Sequence, residues 1–470
     1  MSAEPMRVLL ALPKWHTQRP VQPMGLLYLG AMLRNAGYHV RIVDGEVERC
    51  DNAAIAAIAA EERPHLVGIT STTAQVKGAF ELATAIRARV PGTFIMLGGA
   101  HASSMPQRSL EEGTALDAVA FGEGEYTILE VMERLAAGES LAGVTGTAYR
   151  GPDGIVVNGA RELVKDLDTL PFPAWDLLPI EKYVASTWFP NKVKQYINIF
   201  TSRGCPYGCT FCGAKTTWTR KFRARSPQNV VAEIQEAYER FGIPNFFVSD
   251  DLFTLNRKRV IEVCKLIIEK KLPVTWTCLS RVNTVDPEML AIMKQAGCYL
   301  ICYGLESGSQ AVLDRLDKGT TVEQGIKAVE MTKAAGIKVF GSFMIGSPGE
   351  TVETVEETIA LIRKMMLDEI GLGVTTAYPG TDLFTEHGRD VMNLDWDKAL
   401  AFNPSAAAQS EVFLKCTELS DEEIKRLFHK AMREAVLYNP RLLMRRLSHI
   451  ANVRHLGQSV KAAMKLLSLG

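Results

Sequence analysis

Residues 196–212 read YINIFTSRGCPYGCTFC. The stretch opens as an apolar strand and runs into a loop that carries Cys205, Cys209 and Cys212 in a C-x3-C-x2-C spacing. A closed tetrahedral zinc site needs four protein ligands. No histidine follows closely, and the next cysteine is Cys264. Three thiolates in a loop after a strand suit another use. Three thiolates can hold three irons of a cubane cluster, with the fourth iron left open to a ligand. A zinc site with a distant ligand, or a four-ligand electron-transfer cluster, is the alternative.

Downstream of this loop the strand–helix unit recurs. Strands are expected at 245–249, 274–280, 298–306, 337–346 and 370–377, and helices near 227–240, 256–270, 286–296, 322–335 and 351–366. Ser226-Pro227 and Asp286-Pro287 each place a capping side chain before a proline at the first helical position. Six βα units are too few to close an eight-stranded barrel. A partial barrel over 196–390 is expected, with its site at the C-terminal strand ends. The second strand ends in FVSDDLF (247–253). Adjacent carboxylates at such a place are costly unless a cation is near; a helix cap is the competing use.

Upstream, RVLLAL (7–12), HVRIVD (39–44), HLVGIT (65–70), FIMLGG (94–99) and DAVAFG (117–122) read as strands. Helical patterns at 25–37, 51–62, 78–89 and 125–137 lie between and after them. This alternation predicts an α/β, flavodoxin-like, doubly wound parallel sheet over 1–145. Ligands sit at the carboxyl ends of such strands, which here carry LPKWH, ITSTT, LGGAHAS and FGEGE. A linker is expected over 146–195, containing the hairpin YRGPDGIVVNG and the proline-rich LDTLPFPAWDLLP. A helical region, 391–470, closes the chain.

The 470 residues are 47% hydrophobic and 23% charged, which suits a multidomain globular protein. The N-terminus lacks a signal-peptide apolar core, and no apolar run approaches the roughly 20 residues that span a bilayer. Nine cysteines, mostly single in apolar segments, suit a reducing compartment. The expected location is the cytoplasm. Cys298 and Cys302 share one strand, roughly 13 Å apart by rise, too far to share an ion. Net charge is zero but uneven: residues 425–470 hold ten Lys/Arg against Glu434, a net +9, which leaves −9 for residues 1–424. The basic tail is expected to be a solvated helix or a peripheral contact with an anionic membrane. An acidic body gives no footprint for nucleic acid.

In these residues the chain resembles the radical S-adenosylmethionine (SAM) superfamily, whose C-x3-C-x-aromatic-C signature is matched by CPYGCTFC with Phe211 as the aromatic. The resemblance implies a [4Fe–4S] cluster on Cys205, Cys209 and Cys212, and SAM chelated to the open iron. Reduction of the cluster then cleaves SAM to a 5′-deoxyadenosyl radical. Ser249, Asp250 and Asp251 stand where the superfamily contacts the SAM amino group, with Ser-Asp-Asp in place of the common Gly-Gly-Glu. Arg281 would pair with the SAM carboxylate, or form a structural salt bridge. Glu306 and Ser307 would reach the ribose or the amino group, and Gly346 would lie under the adenine.

The N-terminal half resembles the cobalamin-binding domain carried by one subclass of these enzymes, which includes the anaerobic magnesium-protoporphyrin monomethyl ester cyclase, hopanoid-modifying enzymes and antibiotic C-methylases. LGGAHAS and GEGE carry that resemblance. It implies cobalamin held by Thr72, Thr73, Gly98, Gly99, His101 and Glu123. The Asp-x-His-x-x-Gly cobalt-ligand motif is missing, since His16 sits in LPKWHTQRP; His16 is expected to be a surface or interdomain residue. The activity implied is methylation of an unactivated carbon on a small molecule, a lipid or a tetrapyrrole, with an electron donor such as a flavodoxin or ferredoxin. A radical cyclase, dehydratase or lyase with cobalamin non-methylating or absent is the alternative. A domain that binds no corrinoid, and a non-enzymatic carrier or sensor, complete the range.

Overall fold

The computed structural model describes residues 5–14, 20–185, 189–190, 193–388, 396 and 416–439. His16 and the tail beyond residue 439 lie outside them, as does most of 391–415.

The first sheet holds β1 (Arg7–Leu12), β2 (His39–Asp44), β3 (Leu66–Thr70), β4 (Phe94–Gly98) and β5 (Ala118–Ala120), parallel in the order 2-1-3-4-5. Val8, Leu9, Leu10 and Ala11 are all buried, as befits a strand covered by helices on both faces. The helix Asn52–Glu62 starts where Asp51 accepts the Ala54 N–H. The strand order reverses between β1 and β3, the switch point at which such sheets open a crevice. The hairpin β6 (Thr147–Gly151) and β7 (Gly154–Val157), expected within the linker, instead extends this sheet, since β6 pairs antiparallel with β5.

Five further strands join β8 (Ile197–Ile199) in the second sheet. Between β8 and the first of them stand the short β9 (Ser202–Arg203) and β10 (Arg223–Ala224), which pair antiparallel and bracket the cysteine loop. Then come β11 (Asn245–Val248), β12 (Thr275–Ser280), β13 (Cys298–Glu306), β14 (Lys338–Ile345) and β15 (Glu369–Val374). The order is 15-14-13-12-11-8, all parallel, as a partial barrel requires. Ser226 and Asp286 cap their helices by accepting from Asn229 N and Met289 N. The helix Asp421–Leu437 packs on β14 and β15.

The two sheets meet through polar groups as well as apolar ones. Gln22 behaves as a short piece of strand on the β8 edge: its Nε2 donates to Tyr196 O at 2.6 Å, and its Oε1 accepts from Asn198 N at 2.6 Å. An unpaired sheet edge is thus satisfied from the N-terminal half. Tyr183 Oη donates to Asp44 Oδ2 at 2.6 Å across the same junction.

Candidate functional site

The cysteine loop leaves β9 through Gly204. That residue has φ +84°, and a Cβ there would lie 2.3 Å from Lys221 O, so only glycine fits. Cys209 is buried, while Cys205 and Cys212 are partly open. Burial pushes the Cys205 and Cys212 thiols up, and the neighbouring Asp251 and Cys209 add to it. A bound cation reverses that balance and draws out the thiolates. Among the described residues no three His, Cys, Asp or Glu side chains converge as a single metal ion requires.

Arg281, just past β12, reaches the cysteine loop. Its Nη1 donates to Cys209 Sγ at 3.4 Å and its guanidinium lies 3.7 Å from the Tyr207 ring centroid. Its Nε and Nη2 are buried without a partner. Unmet buried donors are costly, and an anionic ligand would satisfy them.

The Ser-Asp-Asp segment divides its tasks. Asp250 accepts from Thr201 N, Thr201 Oγ1 and Ser202 Oγ at 2.5–2.6 Å, tying the start of the cysteine loop to β11. Both its oxygens are taken by protein donors. Ser249 Oγ is buried and unpartnered. Asp251 opens to the barrel mouth; burial by surrounding protein, then the charge of Asp250, raise its carboxyl to about 6.

Glu306 sits at φ +62°, rare for a residue with a Cβ. Its Oε1 accepts from Lys318 Nζ at 2.6 Å, and that ammonium lies 5.6 Å from the Phe211 ring. This brings Lys318, a residue outside the expected set, to the strand end. A single Lys-Gly in a turn has no pattern, and only its burial beside Glu306 marks it. Ser307 Oγ accepts from Ser309 N and shares a hydrogen bond with Thr358 Oγ1. Gly346 has φ +88°, and its N–H donates to Glu350, whose carboxyl burial raises to about 7.

In the N-terminal half a cleft of about 930 Å³, counted to its open mouth, lies at the ends of β1, β2 and β3. Ser71, Thr72, Asp44 and Glu46 line it. Ser71 Oγ and Glu46 Oε2 are buried and unpartnered. Gly99 has φ +96° and presses on Ser71 O, while the side-chain direction of Gly98 is open. Thr73 Oγ1 meets His101 Nδ1 at 3.3 Å. His101 is fully buried, with Trp396 edge-on at 4.8 Å, and burial lowers its pKa to about 3. It is a neutral wall residue. Glu123 is engaged within the protein: its oxygens accept from Arg203, Arg223 and Val164 N.

The chemistry of both places fits the groups implied. Three soft thiolates with an unsatisfied guanidinium beside them suit a cluster that carries an anionic ligand. An open cleft with unmet polar atoms suits a large amide-rich cofactor tail.

Comparison with known proteins places both halves. Residues 199–362 match the Radical SAM superfamily and residues 16–132 the B12 binding domain. An uncharacterized methyltransferase of Pyrococcus horikoshii is 34% identical over 91% of this chain and 91% of its own. The anaerobic magnesium-protoporphyrin IX monomethyl ester cyclase of Rubrivivax gelatinosus is 32% identical over 84% of this chain and 72% of its own. Among solved structures, the radical SAM methyltransferase TsrM of Kitasatospora setae, with cobalamin and a [4Fe–4S] cluster bound, aligns with TM-score 0.69 at 22% identity, covering 82% of this chain and 75% of that one. At that identity the likeness speaks for the fold.

Proposed function

Because the chain belongs to the radical SAM superfamily, in the branch that carries a B12-binding domain, we propose that it methylates an unactivated carbon of a small molecule. Its cofactors are a [4Fe–4S] cluster, SAM and cobalamin. When bound, these supply a 5′-deoxyadenosyl radical that removes hydrogen from the substrate and a methyl group that replaces it.

The observation that carries the reading is Arg281. Its guanidinium is buried beside Cys209 with two nitrogens unmet, where a carboxylate chelated to the open iron would stand. Cys205, Cys209 and Cys212 hold the cluster. Arg281 orients the SAM carboxylate through charge-assisted hydrogen bonds. Ser249 accepts from the SAM amino group, and Asp251 supplies a counter-charge. The Glu306–Lys318 pair, screened by Phe211, faces the ribose, and the Gly346 turn borders the adenine. In the cleft, Ser71, Thr72 and the Gly98–Gly99 backbone cradle the cobalamin tail, with Thr73 and His101 behind them.

The proposed domain division is 1–145 for cobalamin, 146–195 as linker, 196–390 for the barrel and 391–470 as C-terminal region. The β6–β7 hairpin argues for moving the first boundary past residue 157. A cytoplasmic location, a flavodoxin-like or ferredoxin-like donor, and a lipid or tetrapyrrole substrate belong to the same proposal. No helix among the described residues is long and apolar enough to cross a membrane. The basic tail supports peripheral contact, which loss of binding to anionic vesicles after truncation beyond Tyr438 would test.

A second reading has the 32% identical cyclase behind it: the same radical drives ring closure without methylation. Anaerobic reconstitution with cobalamin, SAM and a low-potential reductant separates the two. Methylation requires S-adenosylhomocysteine as well as 5′-deoxyadenosine. Cleavage to 5′-deoxyadenosine alone favours the second reading, and failure to retain a corrinoid overturns the first.

A further inference from the structure

The GEGE segment leaves two buried carboxylates that the proposed chemistry does not use. Arg203 donates Nη1 to Glu123 Oε1 at 2.9 Å and Nη2 to Glu125 Oε1 at 2.5 Å. Arg223 donates Nη1 to both oxygens of Glu123, at 2.9 and 3.0 Å, and to Val164 O at 2.6 Å. The Arg203, Glu123 and Glu125 side chains are 3%, 3% and 6% exposed, so solvent does not screen them. Two guanidiniums balance two carboxylates. The Arg203 guanidinium also lies 5.3 Å from the Tyr28 ring and 4.7 Å from the Trp218 ring, which confines it.

The location gives this quartet its meaning. Glu123 and Glu125 belong to the end of β5 and the helix Glu125–Ala137 of the first sheet. Arg203 and Arg223 are register partners on β9 and β10, the two strands that bracket the cysteine loop. Arg203 is two residues before Cys205, so its forks end at the base of the cysteine loop. One continuous set of directional bonds therefore joins the cobalamin half to the cluster loop. Desolvated ion pairs are a poor source of stability compared with apolar packing, but guanidinium–carboxylate forks fix orientation.

We propose that Glu123 and Glu125 are positioning residues: through Arg203 and Arg223 they hold the cysteine loop at one fixed distance from the corrinoid cleft. This rests on the reading that a cluster and cobalamin occupy those two places. The test is the distance itself. Protein reconstituted with a reduced [4Fe–4S] cluster and cob(II)alamin carries two unpaired spins, and pulsed dipolar spectroscopy reports their separation. Wild type should give one narrow distribution. Glu125→Gln should broaden it at least twofold, and the paired variant Glu125→Leu/Arg203→Met should do the same while its melting temperature stays within a few degrees of wild type. An unchanged distribution in the folded paired variant overturns the inference while leaving the functional reading intact. If wild type takes up no cluster or no corrinoid, the functional reading fails and this inference with it.

Discussion

The Arg281 Nη1 atom lies 3.4 Å from Cys209 Sγ. That hydrogen bond sets the guanidinium against the sulfur. Its other two nitrogen positions are buried without partners, so Arg281 links the cluster ligand to whatever anion sits above it. Arg281→Met should weaken SAM binding by about 10–100-fold, the value of a lost charge-assisted hydrogen bond of about 1.5–3 kcal/mol. Iron content should change little. Calorimetric titration of reconstituted protein with SAM reads this directly; affinity equal to wild type would remove Arg281 from the site.

Cys205→Ala should leave a folded chain that retains no cubane iron and no SAM cleavage. Cys205 is partly exposed and stabilises little by packing. Iron and sulfide assays beside a circular dichroism melt decide it: full iron occupancy in the variant would contradict the ligand assignment.

Lys318 and Glu306 are a buried pair in contact at 2.6 Å. Lys318→Met strands the Glu306 carboxylate, which should cost about 3–5 kcal/mol. Glu306→Gln/Lys318→Met should recover most of that loss. Chemical denaturation of the single and double variants measures the coupling, and a single-variant cost below about 1 kcal/mol would mean the carboxylate finds water instead.

Burial holds the Glu350 carboxyl at about 7, above its ordinary 4.5. The folded chain therefore binds this proton more tightly than the unfolded chain. The contribution is present at low pH and is lost as pH rises from about 4.5 through 7. Glu350→Gln removes the titration. From pH 5 to pH 8, unfolding free energy should shift in favour of the variant by on the order of 1–3 kcal/mol relative to wild type. Parallel pH profiles would show that Glu350 does not titrate in this range.

The βα alternation and the three cysteines were legible because each is a local pattern: periodicity fixes the strands, and spacing fixes the loop. The choice among Ser249, Asp250 and Asp251 was not, since it turns on Thr201 and Ser202 arriving from another strand to occupy Asp250. Glu123 stood in a visible motif, yet its partners Arg203 and Arg223 are far along the chain. Gln22 completing the β8 edge and Lys318 meeting Glu306 are likewise tertiary facts with no periodic trace. The hairpin β6–β7 was recognised by its turn, but the turn does not say which sheet it joins.

The three-cysteine loop is expected to leave one iron open to SAM. The most direct measurement is the electron paramagnetic resonance spectrum of the reduced, reconstituted protein before and after SAM is added. A changed cluster spectrum is expected on SAM addition, followed by 5′-deoxyadenosine in the quenched sample. A spectrum indifferent to SAM, with no 5′-deoxyadenosine formed, would contradict it.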